Sequence, residues 1–396
     1  MCSPAGPGAH VEVADILRDH AGGLTLGSQQ ARTVRALVAC RTAALGGHLQ
    51  VCDACGFARP AYNSCRNRHC PKCLVLRQEL WAEAQEGKLL PVAYFHAVFT
   101  VPAQLHPLFR RDPRTCLTLL FDAVAETLGA VGWRQLRAQV GFTAVLHTWT
   151  QKLLYHPHLH CIVPGGGLSA DGSSWISSGE RFFLPVRVLR LVFRGKLLSK
   201  LAAALADGRL SFAEGPAREL LKRASRTTWV VYAKRPLAGP QQVVRYLSRY
   251  THRIAISNSR LVAYDGEQVA FVWRDRAHGN RRKQLRLPAA EFARRFVQHV
   301  LPRHFVRIRH YGLLSNRSQQ DLELCRTLVA AGQQADLSPR RQRDEEDWVS
   351  NCMRIFGRDP LLCPACGRGR MVSLEPLPPA LCRLPAASSC DPRPPP

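Results

Sequence analysis

Two histidines one residue apart, His158 and His160, lie in the stretch LYHPHLHCIVPGGG, Leu154 to Gly167. On a β-strand residues i and i+2 share a face, so both imidazoles point the same way and suit one divalent cation. Histidine is the commonest metal ligand, yet a His-x-His pair in a strand is also compatible with a purely structural role. Farther along, the text QQVVRYLSRYTHR carries Tyr246 and Tyr250, with Arg245, Arg249 and Arg253 close by. Residues four apart stack on one helical face. Tyrosine is a poor nucleophile at neutral pH unless its electrophile is activated, which a metal and arginines on a phosphate would do. Two phenols on one face allow two attacks. In isolation such a pair is an ordinary core or interface feature; the histidines are what point to chemistry. That chemistry requires imidazoles and phenols to face each other across a gap wide enough for one unpaired strand.

The cysteines form a second kind of constellation. Cys52-x2-Cys55 is followed by Cys65, His69 and Cys70-x2-Cys73. Two CxxC pairs at this distance suit a tetrahedral structural zinc. The expected ligands are Cys52, Cys55, Cys70 and Cys73, with Cys65 and His69 as alternates and a second ion left open. Free core cysteines would have no need of paired spacing. Arg59, Arg66, Arg68, Lys72 and Arg77 surround the cluster, either as a DNA-touching surface or as a solvated basic face. Near the C-terminus, Cys363-x2-Cys366 in CPACGRGR reads as half a zinc ribbon, for which Cys352 or Cys382 would have to bend back.

Composition sets the partner class. The chain has 396 residues, 46% of them hydrophobic, and 55 Lys and Arg against 29 Asp and Glu, for a formal charge of +26. That is enough apolar material for two or three domains. Charge spread over most of the length favours a polyanion, because neutralising phosphates releases condensed counterions. A membrane surface is the alternative, but no apolar run is expected to reach the ~18 to 20 residues of a spanning helix. The N-terminus mixes Gly, Pro, His and acidic residues, unlike a signal peptide. The expectation is a cytoplasmic protein, with its fifteen cysteines serving metal sites rather than disulfides.

The elements that must position these groups follow from periodicity. Val11 to His20 and Gln29 to Ala44 have helical spacing, broken at Gly22-Gly23. Tyr94 to Val101 is a core strand, and Pro113 to Val131 an amphipathic helix. Thr143 to Thr150 is a second strand, turned back by Gln151 to Pro157 into the histidine strand. A symmetric hairpin sets Gln151 opposite His158, Trp149 opposite His160 and His147 opposite Ile162. Gln151 is then the tentative third metal ligand, with His147 the other choice. After the strand Thr228 to Ala233, Gly239-Pro240 opens the tyrosine helix. Leu261 to Trp273 and Lys283 to Leu287 read as paired strands joined by a basic, phosphate-gripping linker, Arg274 to Arg282. Phe292 to Val300 is a helix. Phe305 to Leu314 is a strand with Arg307, Arg309 and Tyr311 on one face, for backbone contact and base stacking or simply solvated. Gly332 to Arg343 is a linker before a helix near Asp344 to Ile355, and from about Glu375 the proline-rich chain is expected to be disordered.

In this order, CRNRHCPKC, FHAVFTVP, HTWTQKLLYHPHLHCIVPGGG and YLSRYTHRIAISNSRL resemble the two-tyrosine HUH transposases of the rolling-circle insertion sequence ninety-one family and related common-region elements. The resemblance runs from about Val11 to Met371; the tail departs from the family's usual ending. It implies an α+β fold, with a central antiparallel sheet of HUH endonuclease type flanked by helices behind an N-terminal helical and zinc-binding domain. It also implies that His158 and His160 hold Mg²⁺ or Mn²⁺ and that Tyr246 and Tyr250 are nucleophiles. Such enzymes cut single-stranded DNA, stay joined to the 5′ phosphate and leave a 3′ hydroxyl, so that religation needs no ATP. The expected division is 1–90 helical and zinc-binding, 91–330 catalytic, 331–372 linker, short helix and CxxC module, and 373–396 disordered tail. An HUH nickase initiating plasmid or phage replication would share the cleavage, and a non-catalytic zinc protein on single-stranded DNA would share the charge. Only the joint presence of both histidines and both tyrosines sets the last apart.

Overall fold

A computed structural model describes residues 11–73, 75–86, 89–178, 185–237, 254–275, 278–333 and 347–380. In chain order the first elements are α1 (Val13–His20), α2 (Ser28–Ala39), β1 (Gly47–Cys52), β2 (Ala58–Tyr62), α3 (Val75–Glu86) and β3 (Tyr94–Thr100). Next come α4 (His106–Arg111), α5 (Pro113–Leu136), β4 (Ala138–Gln139), β5 (Phe142–Trp149), β6 (Tyr155–Pro164), β7 (Gly166–Ser169), β8 (Trp175–Ser177), α6 (Val186–Ala206), α7 (Glu214–Arg226) and β9 (Val231–Leu237). The rest are β10 (Leu261–Tyr264), β11 (Gln268–Asp275), β12 (Arg281–Pro288), α8 (Ala289–Val297), β13 (Ile308–Tyr311), α9 (Gln319–Gln333), α10 (Trp348–Phe356) and β14 (Met371–Leu377). The fold is α+β with antiparallel sheets.

The chain separates into two compact units, each made of several segments. Met1–Leu76, Ile256–Val300 and Arg343–Pro396 form one; Arg77–Ala255 and Leu301–Gln342 form the other. This differs from the colinear division expected along the chain.

The second unit is built on a five-stranded sheet of order β13-β5-β6-β3-β9, all antiparallel. Strand alternation gives it two different faces. Phe95, Ala97 and Phe99 of β3, Ala144 and Leu146 of β5, and Leu159, Cys161 and Val163 of β6 join one buried core with α5 and α6. The alternate residues, among them His96, His147, His158 and His160, take the other face. α5 begins where Asp112 Oδ1 accepts from Thr115 N at 3.1 Å, with Pro113 in its first turn. Contrary to expectation, α5 is long and apolar enough to cross a membrane by length and composition. Burial explains its apolarity, since Leu117, Leu120, Phe121, Val124 and Leu128 are all in the core. Phe193 of α6 meets Phe99 edge-on at 5.1 Å and Trp229 at 5.2 Å between ring centroids.

At the sheet edge, the expected strand Phe305 to Leu314 is paired only over Ile308–Tyr311. The Arg309 guanidinium lies 4.2 Å over the Phe121 ring, and Tyr311 stacks on Phe142 at 4.8 Å, so both side chains are used in packing.

In the first unit, α1 and α8 join the sheet β10-β11-β12. Asn258 Oδ1 accepts from Val13 N at 3.2 Å, and Tyr264 donates to Asp19 Oδ2 at 2.6 Å. The single strand expected over Leu261 to Trp273 is two, because Asp265 Oδ1 accepts from Glu267 N and Gln268 N and Gly266 adopts φ +97°, making a tight turn. Part of the basic linker is internally partnered. The Asp275 carboxylate takes Lys283 Nζ at 2.7 Å and His278 Nδ1 at 2.9 Å, and the Lys283 contact above all holds its pKa down at about 2.

A second sheet of the first unit, β14-β1-β2, extends to Leu377, past the point near Glu375 where disorder was expected to begin. β14 pairs with β1 from Cys52 opposite Met371 to Gly47 opposite Leu377. Pro376 is tolerated because β14 is an edge strand. The final stretch 381–396, like the expected linker at 334–346, lies outside the described residues.

Phe193→Ala removes the ring that two aromatic partners enclose at full burial. It should cost about 3–5 kcal/mol, read as a lower unfolding midpoint in urea, with no change in zinc content.

Candidate metal centres

Three imidazoles meet on the sheet face opposite the α5 and α6 core. The ligand-capable nitrogens of His147, His158 and His160 all lie within 4.8 Å of one another, and the Nε2 atoms of His158 and His160 are 3.1 Å apart. β5 and β6 set this by their register: His147 pairs with His158, and Val145 with His160.

The expected register is therefore wrong by four residues, although it keeps the same parity. Gln151 is not opposite His158; it sits in the turn, and His147 takes the third position. The turn is shorter than Gln151 to Pro157 because Thr150 closes it. Thr150 N donates to Leu154 O at 3.0 Å, Thr150 Oγ1 accepts from Lys152 N and Leu154 N, and Leu153 takes φ +60° with its side chain buried. His156 and Pro157 then enter the strand through an irregular step, since His147 pairs with His158 but Trp149 with Tyr155. A bulge is where a residue lacking an N–H is tolerated. Proline, read as a strand boundary, lies inside β6.

The triad is oriented from behind. His158 Nδ1 donates to the His156 carbonyl at 2.6 Å, which leaves Nε2 as the lone-pair nitrogen. His160 Nδ1 is 2.9 Å from His96 Nε2, and the two rings stack at 5.1 Å. His147 stacks on Trp149 at 4.5 Å. His96, His147 and His160 are buried, so the imidazoles are held in a water-poor setting. Fixing a histidine through its second nitrogen is how metal proteins select the tautomer. His96 was readable as a polar residue inside YFHAVFTV, but only the pairing of β3 with β6 reveals its neighbour. Tyr246, Tyr250, Arg245, Arg249 and Arg253 lie outside the described residues.

The cysteines fall into two groups rather than the one expected. Cys40, Cys65, Cys70 and Cys73 form one, and Cys52, Cys55, Cys363 and Cys366 the other; within each, all sulfurs lie within 4.8 Å. The grouping Cys52, Cys55, Cys70 and Cys73 is thus not the one brought together. The cause is strand pairing, since β14 on β1 carries the C-terminal knuckle to the first CxxC. Of the alternates, Cys65 belongs to the first group, whereas His69 hydrogen-bonds Asn67 through Nδ1 at 2.9 Å and is in neither. Cys40, at the end of α2, was missed because it has no CxxC partner. Neither Cys352 nor Cys382 completes the C-terminal half: Cys352 is in neither group and Cys382 lies outside the described residues.

The comparisons with known proteins bear on the cysteine groups and on the protein's family. A family profile described as a transposase zinc-binding domain matches residues 13–101, and one described as a putative transposase matches residues 141–321. The chain is 44% identical over 380 residues to the putative transposase y4qJ of Sinorhizobium fredii (strain NBRC 101917 / NGR234), covering 92% of this chain and 95% of that protein. It is 32% identical over 295 residues to the transposase for insertion sequence element IS801 of Pseudomonas savastanoi pv. phaseolicola, covering 73% and 71%. No solved structure matches. A thiolate-rich zinc-binding region ahead of a transposase region, in a chain alike to these relatives over most of its length, places the protein in the insertion sequence ninety-one family of transposases.

Proposed function

We propose that this transposase cuts and rejoins single-stranded DNA by rolling-circle chemistry, with an HUH-type sheet and a 5′-phosphotyrosine intermediate. The observation that carries the reading is the imidazole triad of buried His147 and His160 with half-buried His158, with two of its members oriented through their Nδ1 atoms. A structural histidine cluster has no need for three converging nitrogens, whereas a divalent cation has. His147 takes the third-ligand role first given to Gln151.

An all-imidazole triad favours Mn²⁺ over Mg²⁺, which prefers oxygen ligands. The bound ion would supply positive charge at the scissile phosphate and so make phosphorus more electrophilic. The chain's own groups do the rest. His158 and His160 present Nε2 lone pairs because their Nδ1 atoms are engaged behind them. The phenol oxygen of Tyr246 or Tyr250 gives up its proton and forms the O–P bond as the P–O3′ bond breaks, and the departing O3′ takes up a proton. Arg245, Arg249 and Arg253 would balance the phosphate charge. A free 3′ hydroxyl reverses the reaction on the phosphotyrosine, and a second tyrosine permits transfer between donor and target strands. The net charge of +26 suits such a substrate, and the site of action would be the bacterial nucleoid in the cytoplasm.

An oligonucleotide carrying the element's terminus, incubated with protein and Mn²⁺, should give a covalent adduct that EDTA prevents. His158→Ala or His160→Ala should abolish it, and so should Tyr246→Phe with Tyr250→Phe, while either single Phe change leaves partial cleavage. Normal adduct yield from the double Phe protein would refute the nucleophile assignment. His96→Ala should raise the Mn²⁺ concentration needed for half-maximal adduct about 10–100-fold, with full recovery at saturating metal. A loss that metal cannot restore would mean that His96 serves folding alone.

A further inference from the structure

The zinc-binding family match ends at residue 101, yet two of its thiols, Cys52 and Cys55, meet two from far beyond it, Cys363 and Cys366. Cys52 Sγ and Cys366 Sγ are 3.8 Å apart, as are Cys55 Sγ and Cys363 Sγ. A tetrahedral thiolate site with Zn–S of about 2.3 Å has S···S edges of about 3.8 Å. The cysteines are unbridged, and these separations are far beyond the ~2.05 Å of a disulfide.

The backbone around the sulfurs repeats itself on both sides. CDACG at Cys52 and CPACG at Cys363 are two copies of one knuckle. In each the following glycine takes a left-handed conformation, Gly56 at φ +70° and Gly367 at φ +64°. In each its amide closes the turn on the first cysteine's carbonyl, Gly56 N to Cys52 O at 3.1 Å and Gly367 N to Cys363 O at 3.0 Å. Backbone amides also aim at sulfur: Ala54 N is 3.4 Å from Cys52 Sγ and Gly369 N 3.4 Å from Cys366 Sγ. A side chain at Gly369 would collide with Cys52 Sγ and come 2.6 Å from the Ala54 Cβ. The two knuckles are also tied directly, Arg370 N donating to Asp53 Oδ1 at 2.8 Å and Asp53 N to Arg370 O at 3.1 Å.

We propose that the protein binds two structural zinc ions, and that the second, held by Cys52, Cys55, Cys363 and Cys366, clasps the C-terminal segment onto the N-terminal zinc-binding domain. The first, held by Cys40, Cys65, Cys70 and Cys73, is local to that domain, where Cys70 Sγ lies 3.5 Å from Cys40 Sγ and Cys65 Sγ 3.8 Å from Cys73 Sγ. Cys363 and Cys366 are thus ligands of the same domain as Cys52, reached after the chain has passed through the other unit and returned.

Metal analysis and native mass spectrometry of the full chain test this. The wild type should carry two zinc ions. Cys363→Ser with Cys366→Ser should carry one, Cys52→Ser with Cys55→Ser should carry one, and all four changes together should still leave one, because the pairs share a single ion. Titrating the wild type with a mercurial and a zinc dye should release both ions, and needs no variant to fold. One ion in the wild type, two retained after Cys363→Ser with Cys366→Ser, none after the fourfold change, or iron in place of zinc would each overturn the proposal.

Discussion

The register of β5 against β6 is the constraint on which the catalytic reading depends. A sheet gives each residue one of two faces, so a shift of one position would have turned His158 and His160 into the apolar core and Leu159, Cys161 and Val163 out of it. That exchange is energetically closed, because the opposite face is occupied by α5 and α6 around the fully buried Phe95, Phe99, Phe121 and Phe193. The apolar core thus holds the imidazoles in place without touching them. Within the parity so fixed, the Thr150 turn decides which residue faces His158, and it selects His147.

The first unit rests on a different kind of closure. Its segments are separated in sequence by most of the chain, and neither of its three-stranded sheets is large enough to bury a broad apolar face. α1 packs with α8 and the β10-β11-β12 sheet through Val13, Ile16, Phe271 and Phe292, all buried. The β14-β1-β2 sheet contributes little apolar core beyond Cys52, Cys363 and Met371. Small, core-poor modules of this sort commonly depend on a metal, and the thiolate groups supply the cross-links that packing does not.

Much of this was legible in the sequence, and the failures have physical causes. The helices near Val13 and Pro113 and the strands at Tyr94, Phe142 and Tyr155 follow from periodicity, because each buries one continuous face. Gln151 was set opposite His158 where His147 stands, because hairpin pairing depends on turn conformation, and a left-handed Leu153 leaves no mark in residue type. Pro157 misled for the complementary reason: proline marks the lack of an amide, and a bulge satisfies that as well as a strand end does. The cysteine grouping failed because nearest CxxC pairs were matched along the chain. The repeated CDACG and CPACG wording carried the correct pairing, but proximity in sequence outweighed likeness of motif.

The central claim is that three imidazoles converge on one divalent cation, and anomalous scattering tests it most directly. Crystals of the full chain soaked in Mn²⁺ and measured at a wavelength where manganese scatters anomalously should show one strong peak bounded by nitrogens of His147, His158 and His160. A peak elsewhere with none at the triad, or unchanged density there at saturating Mn²⁺, would contradict the account.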